Sequence, residues 1–305
     1  MPVRFSELSN LTSPKAVVRG LQMLFACAAF SLAAAAGWSE TAEAGAFAAL
    51  AMFTWCFSFA ATLLVFLAEF TQLHSLLPVS WRNLPVTLAA FAALMNLAAS
   101  VSYPLLVLSA GPAPGCPGPR AWSDLSCSYQ LAATICSCFA FLAYSAEVLL
   151  AQRGDQGRAY MATAPGLLKV LEVSLACLLA VTLATAELPR SAAYCACAAS
   201  LGACALLPLV AIVTMVSECR CRAHCPLPPP RRLLLAASSL AALLAAAVLA
   251  AWSLALGRGA DLLAKCSSTD CRRNRLLTAT ALFAVNLLAY VADLVYCIKL
   301  TCSRS

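Results

Sequence analysis

The stretch that decides the fold occurs twice, since residues 142–148 read LAYSAEV and residues 288–294 read LAYVADL. In both copies an acid, Glu147 or Asp293, follows a tyrosine by three positions inside an otherwise apolar segment. Residues three apart share one helical face, and an acid within a membrane helix is unfavourable unless it has a partner or a function. The repetition predicts a duplicated membrane protein in which both acids serve the same purpose.

The composition places the chain in a lipid bilayer. Hydrophobic residues fill 62% of its 305 positions and charged residues 11%, whereas soluble domains are about half apolar and about a quarter charged. The 20 basic residues outnumber the 13 acids, but they lie scattered between apolar runs. A nucleic-acid-binding protein would gather them into a stripe. We therefore expect membrane lipids as partners and no nucleic acid.

Eight apolar stretches are long enough to cross a bilayer, because a spanning helix needs about 20 residues. The predicted helices cover residues 16–37, 46–70, 86–109, 130–152, 167–187, 192–216, 233–256 and 276–299. Pro104 and Pro208 fall inside two of them, where we expect kinks that serve packing. The predicted fold class is an all-α membrane protein with eight transmembrane helices.

The first helix resembles the fifth at a constant offset of 150 residues, which matches Arg19 with Lys169 and Gln22 with Glu172. Because the fifth helix is internal, its first copy is not expected to be a cleaved signal peptide. The sequence therefore predicts two tandem four-helix bundles that run in the same direction. The predicted divisions are a cytoplasmic segment at 1–15, a first module at 16–153, a cytoplasmic linker at 154–163, a second module at 164–300 and a cytoplasmic tail at 301–305.

The distribution of basic residues predicts the orientation, because cytoplasmic loops are enriched in Lys and Arg. With a cytoplasmic amino terminus, most of the basic residues lie inside, and the first outside loop holds only Glu40 and Glu43. The loop between the last two helices does not follow this bias, since it would lie outside and yet carries several basic residues. The overall bias and the even helix count still predict that both termini are cytoplasmic.

The charged residues within the helices are the sharpest candidates for a site. Arg19 lies about one turn inside the first helix, and Glu147 lies at a similar depth near the end of the fourth. Lys169 and Asp293 occupy the equivalent positions in the second half. We predict a structural ion pair in each module, because one buried charge without the other is strongly destabilising. The alternative is a proton or ion relay, since intramembrane acids often mark transport paths.

Two cysteine pairs fall in predicted outside loops, Cys116 with Cys127 and Cys266 with Cys271. The oxidising side of the membrane permits disulfides, so each pair is a candidate bridge, and free thiols in mobile loops are the alternative. Cysteines inside helices are expected to behave as small hydrophobic residues.

A third group of cysteines, Cys219, Cys221 and Cys225, stands among basic residues directly after the sixth helix. Juxtamembrane cysteines on the cytoplasmic side are candidates for S-palmitoylation. Unmodified thiols are the main alternative, and zinc binding with His224 is a weaker one because the spacing is too compressed for a familiar zinc finger.

The sequence carries no recognisable enzymatic constellation. Two histidines, His74 and His224, are too few for a membrane di-iron oxygenase, and neither a phosphate-binding glycine loop nor a nucleophile elbow is present. We therefore expect no enzymatic activity, no cofactor and no metal site.

The layout resembles the MARVEL domain, a four-helix membrane module. The features that carry this resemblance are a basic residue entering helix one, an acid near the exit of helix four and a cysteine pair in the second outside loop. Two modules in about 300 residues, opened by SPKAVVR at 13–19 and repeating the LAY phrase, are similar to the myeloid-associated differentiation marker family. The resemblance covers residues from about 14 to 300.

This resemblance implies a non-enzymatic protein that organises membrane domains, vesicle traffic or membrane apposition. It implies plasma-membrane or vesicle localisation and contact with ordered or cholesterol-rich lipid. Runs of alanine permit close helix contact, which suits either packing within the bundle or association with a second copy, as a homo-oligomer, or with another membrane protein. The alternative function is a transporter or channel that uses Glu147 and Asp293.

Overall fold

The computed structural model describes residues 13–37, 42–72, 79–108, 125–154, 159–185, 192–217, 231–263 and 269–302. Within these ranges, eight helices are long and apolar enough to cross a membrane. They are α1 (Pro14–Ala36), α2 (Ala42–Phe70), α3 (Leu84–Ser102), α4 (Leu125–Arg153), α5 (Ala164–Thr185), α6 (Ala192–Val216), α7 (Arg231–Leu263) and α8 (Thr269–Cys302). The predicted all-α membrane fold is confirmed.

Local sequence signals explain how the first helix starts and stops. Ser13 is the N-cap, and its side-chain oxygen accepts a hydrogen bond from the Ala16 amide at 3.3 Å. Pro14 follows at the first helical position, where a missing N–H costs little. The helix ends at Gly37, whose φ of 88° is accessible mainly to glycine.

Several helices extend beyond their predicted ends. α4 starts at Leu125 rather than 130, and α8 starts at Thr269 rather than 276. The prediction that Cys127 and Cys271 lie in loops is therefore wrong, because both fall within the first turns of helices. Hydropathy locates the apolar part of a helix, whereas its backbone hydrogen bonds can continue into polar residues beyond the bilayer.

The chain divides into two compact units, Met1–Thr163 and Ala164–Ser305. In the first unit α1 packs against α2 and α4, and α3 also packs against both of these helices. The four helices thus form a closed ring. Alanines such as Ala29, Ala33 and Ala133 let the helices approach closely at its core, and the large side chain of Trp55 fills the remaining space.

The second unit forms the same ring of neighbours, in which α5 and α7 each pack against α6 and α8. Its core is built around Leu179, Trp252 and Phe283, with the two aromatic ring centroids 4.9 Å apart. This cluster holds larger side chains than the alanine-lined cluster of the first unit, whereas Ala241, Ala242 and Ala245 line another part of the second core.

Next to a proline, α3 continues into a segment with the wider turns of a π-helix. A π-helical segment, Tyr103–Leu108, starts one residue before Pro104. Proline lacks an amide hydrogen and crowds the preceding turn, and a wider turn accommodates it. Pro208 instead lies buried inside α6.

The predicted linker is largely part of the first unit. A 3₁₀ turn, Tyr160–Ala162, packs against α3 and α4, and Met161 is fully buried. The Met161 backbone amide donates to the Asn83 side-chain oxygen at 3.3 Å, and the Gln152 side-chain amide donates to the Ala162 backbone carbonyl at 3.2 Å. These contacts tie residues 159–163 to the bundle that precedes them.

Candidate functional site: the buried charge clusters

One buried stripe on α1 positions the first charge cluster. Its members are separated by three or four residues, so they share a helical face. They are Arg19, Gln22, Ala26, Ala29 and Ala33. The two polar residues stand at one end of the stripe and face α4, while the alanines allow the rest of the helix to pack closely.

The structure brings Arg19 and Glu147 together. The Arg19 Nε lies 2.8 Å from the Glu147 Oε1, and the arginine is only 3% exposed. Gln22 completes this contact, because its side-chain amide donates to the second carboxylate oxygen of Glu147 at 2.8 Å and to the Ala143 carbonyl at 3.3 Å. Both oxygens of Glu147 are therefore hydrogen-bonded, which is what a buried carboxylate requires.

A second acid, Glu69 near the end of α2, also pairs with Arg19 through the guanidinium Nη1. Its other oxygen accepts a hydrogen bond from the Trp81 indole at 3.2 Å. The Glu69 side chain is 37% exposed, so it lies at the rim of the cluster. The sequence-based pairing missed this partner, although an acid at the same end of a neighbouring helix was a signal that could have found it.

The second unit carries an equivalent cluster on α5, α7 and α8. The Lys169 Nζ lies 2.5 Å from Asp293 Oδ2 and 3.4 Å from Glu172 Oε2. The Ser238 hydroxyl donates to Asp293 Oδ2 at 2.6 Å. The sequence predicted the pairing of Lys169 with Asp293, but it did not predict the contact with Ser238, because a serine among alanines carries no distinguishing signal.

The two clusters differ in how their second acid is accommodated. Each has one cation and two carboxylates. In the first unit Glu69 is partly exposed, whereas Glu172 and Asp293 in the second unit are both fully buried. One oxygen of each of these two acids, Glu172 Oε1 and Asp293 Oδ1, has no hydrogen-bond partner among the described residues.

A polar chain extends from the first cluster into the middle of that bundle. The Tyr144 hydroxyl shares a hydrogen bond with Thr62 at 2.7 Å and donates to the Ser58 carbonyl at 2.9 Å. The Asn96 side-chain amide donates to the Ser58 hydroxyl at 3.0 Å, and the Ser137 hydroxyl donates to the Asn96 backbone carbonyl at 3.0 Å. These bonds cross-link α2, α3 and α4.

A small cavity lies between this polar chain and the cluster. Arg19, Thr62, Tyr144 and Glu147 supply its polar lining, and alanine, leucine, valine and proline side chains complete it. Its volume of about 10 Å³ is enough for roughly one water molecule.

The comparisons with known proteins match this architecture. The family model for MARVEL, described as a membrane-associating domain, matches residues 10–150. A myeloid-associated differentiation marker homolog from Xenopus laevis is 36% identical over 303 residues, which cover 96% of this chain and 94% of the relative. The human myeloid-associated differentiation marker is 36% identical over 304 residues, covering 94% and 88%.

The chain belongs to the myeloid-associated differentiation marker family. The family resemblance expected from the sequence is confirmed. A myeloid-associated differentiation marker-like protein 2 from Bos taurus is also similar, at 33% identity over 302 residues that cover 96% of this chain and 93% of the relative. No solved structure matches.

The cysteines of this family member are only partly described. Cys127 is buried and disulfide-bonded. Cys116, Cys266, Cys219, Cys221 and Cys225 lie outside the described residues, and Cys271 is described only by its place in α8. The two loop bridges and the acylation of the three juxtamembrane cysteines therefore stay predictions. Within the described part of the chain, no group of three His, Cys, Asp or Glu side chains is arranged to hold a metal ion.

Proposed function

We propose that this protein is a non-enzymatic organiser of membranes, which shapes lipid domains, vesicle traffic or membrane apposition through its two four-helix modules. The observation that carries this proposal is the contrast between the inside and the outside of each unit. Charges meet one another inside, as Arg19 meets Glu147, while leucines cover the outside.

The outer faces suit contact with lipid and with other membrane helices. Large apolar side chains on different helices are well exposed, with Leu64 at 67%, Leu243 at 69% and Leu288 at 67%. In a bilayer these side chains meet acyl chains at no hydrophobic penalty. The surface that such a protein offers is therefore apolar, and selectivity for ordered or cholesterol-rich lipid, for a second copy or for another membrane protein depends on its shape.

The buried charges serve the shape of each module in this proposal. Arg19 joins α1 to α2 and α4, and Lys169 joins α5 to α8. A polar contact between helices resists sliding and rotation, because a displaced helix would leave charges unpaired in a dry environment. Each cluster thus acts as a clasp that fixes the order and the register of its helices.

Transport is the competing function, and the interior of the first unit offers it little support. The side-chain amino group of Asn96, near the middle of α3, donates to Ser58 and to the Ala92 carbonyl and is therefore engaged in packing, while the side-chain oxygen has no hydrogen-bond partner among the described residues. The adjacent cavity has room for about one water molecule. A hydrated substrate path through this unit would require its helices to separate.

The same proposal includes a plasma-membrane or vesicle location with both termini in the cytoplasm. The bias of Lys and Arg toward the inside segments supports this orientation. Acylation of Cys219, Cys221 or Cys225 would add a second attachment next to α6.

The test is reconstitution of the purified full chain into giant vesicles of dioleoylphosphatidylcholine, sphingomyelin and cholesterol. We expect enrichment in the ordered phase or at the phase boundary. Arg19→Gln should lose this enrichment, whereas Lys15→Gln, which removes an exposed charge from the same helix, should keep it. Even distribution of the wild-type protein would overturn the proposal.

A flux assay on small vesicles of the same lipids separates the two functions. We expect proton and alkali-cation leakage equal to that of protein-free vesicles. Leakage that exceeds this background and disappears with Glu147→Gln or Asp293→Asn would establish the transporter instead.

A further inference from the structure

Gln22 and Glu172 occupy the same place in the two units. Each lies three residues after the cation of its cluster, Arg19 or Lys169, and each is fully buried. The buried stripes of the two helices repeat in register, because Lys169, Glu172, Ala176, Leu179 and Leu183 on α5 follow the spacing of Arg19, Gln22, Ala26, Ala29 and Ala33 on α1. An amide in one unit is thus replaced by a carboxyl group in the other.

The amide has a definite task in the first unit. The Gln22 Nε2 donates to Glu147 Oε2 at 2.8 Å, so the acid of α4 receives one hydrogen bond from arginine and one from glutamine. An ionised carboxylate has no hydrogen to donate, whereas a protonated one has a single O–H donor. Glu172 can therefore replace the donor function of Gln22 only in its neutral form.

The charges in the second unit lead to the same requirement. One ammonium group, Lys169, faces two fully buried carboxyl groups, Glu172 and Asp293. Ser238 donates to the Asp293 oxygen that Lys169 already contacts, and among the described residues neither Asp293 Oδ1 nor Glu172 Oε1 has a hydrogen-bond partner. Two carboxylates near one cation in a dry interior do not both stay ionised, because their repulsion and desolvation exceed what one cation offsets.

We propose that Glu172 is a buried proton-binding site. It carries a proton in the folded protein at neutral pH, and this proton supplies the hydrogen-bond donor that the amide of Gln22 supplies in the first unit. The cluster is then neutral overall, with Lys169 balanced by the ionised Asp293. Loss of the proton leaves two negative charges against one positive charge and weakens the contact between α5 and α8.

Of the titratable groups around this site, Glu172 is the one to which we assign the proton, because the others are engaged in different contacts. α8 contributes Asp293, Tyr290 and Cys297, α6 contributes Cys204 and α7 contributes the uncharged Ser238. Tyr290 and Cys204 are engaged with backbone carbonyls, the tyrosine with that of Cys204 at 2.9 Å and the thiol with that of Ala241 at 3.7 Å. Of the two acids, Asp293 makes the shorter contact with the Lys169 ammonium, whereas Glu172 Oε2 lies farther away at 3.4 Å.

The decisive experiment is infrared spectroscopy of the full chain in lipid nanodiscs. We expect a carbonyl stretch of a protonated carboxylic acid at neutral pH, which disappears at alkaline pH. Glu172→Gln should lose this band and should still fold, because glutamine is the natural residue at the equivalent position of the first unit. The proposal is overturned if the wild-type protein lacks the band or if Glu172→Gln keeps it.

A gain of signal gives the matched control. Gln22→Glu places a buried carboxyl group at the equivalent position of the first unit, next to Glu147, so we expect a second band of the same kind. Dicyclohexylcarbodiimide, which reacts with protonated carboxyl groups in apolar surroundings, should label Glu172 but not Glu147 in the wild-type protein. Peptide mass spectrometry that finds the label on Glu147 and none on Glu172 would contradict the proposal. These readouts are independent of whether the protein organises membranes.

Discussion

Tyr144 and Tyr290 make the same hydrogen bond in the two units. Each hydroxyl lies 2.9 Å from the carbonyl oxygen of a residue 86 positions earlier in the chain, Ser58 for Tyr144 and Cys204 for Tyr290. The bond joins the second and fourth helices of each ring and fixes their relative rotation. It also sets the orientation of the helical face that carries the acid three residues later.

Removal of these hydroxyls should destabilise the first unit more than the second. Tyr144 also shares a hydrogen bond with Thr62, four residues after Ser58, whereas Pro208 stands four residues after Cys204 and has no side-chain donor or acceptor. We expect Tyr144→Phe to lower the free energy of unfolding by about 1–2 kcal/mol and Tyr290→Phe by about 1 kcal/mol. Equilibrium unfolding in mixed micelles measures both. Tyr296→Phe, at an exposed position, is the control, and a loss there equal to that of Tyr144→Phe would contradict the expectation.

Neutralisation of the three charges in the first cluster should give a definite order of stability losses. Arg19→Gln leaves Glu69 and Glu147 facing each other without a cation, so we expect a loss of about 3–5 kcal/mol. Glu147→Gln should be milder because Arg19 keeps Glu69, and Glu69→Gln milder still because that side chain is 37% exposed. Thermal unfolding in nanodiscs measures the series, with the exposed Lys15→Gln as control. An equal loss for all three variants would mean that Arg19 does not hold both acids.

Exchange of the charges at positions 19 and 147 tests whether stable folding requires direct contact between opposite charges or only polar side chains at these positions. Arg19→Glu and Glu147→Arg should each prevent stable folding, and the double variant should recover part of it because the two charges meet again. The recovery should be incomplete, since the new acid at position 19 stands beside Glu69. Addition of Glu69→Gln should bring the yield of monodisperse protein closer to that of the wild type. A double variant no better than its single parents would rule out the pairing.

The difference between the predicted and the observed site has a physical origin. Depth along a helix follows from residue number, so Arg19 could be matched with Glu147, and Lys169 with Asp293, from the sequence. The identity of further partners depends on which helices are neighbours and how they are rotated. Glu69, Gln22 and Ser238 belong to the clusters because of which helices are neighbours and how these helices are rotated. A linear sequence carries little information about rotation. Cys127 was misplaced because α4 begins in polar residues that hydropathy does not detect.

The location of the disulfide-bonded Cys127 leads to a prediction about topology. Cys127 and Glu147 lie on the same helix, separated by about 30 Å at 1.5 Å per residue, so they stand at opposite faces of the membrane. Because Cys127 is disulfide-bonded and a disulfide requires the oxidising side, we predict that the charge cluster of the first unit lies toward the cytoplasm, and the same follows for the second unit if its helices run in the same direction, as the sequence repeat predicts. Cys302, exposed at the end of α8, should then be cytoplasmic as well.

In a variant with Cys219, Cys221 and Cys225 replaced by serine, we expect a membrane-impermeant maleimide to modify Cys302 only after permeabilisation. The signal should vanish with the additional Cys302→Ser change, and labelling of intact cells at Cys302 would place the carboxyl terminus outside.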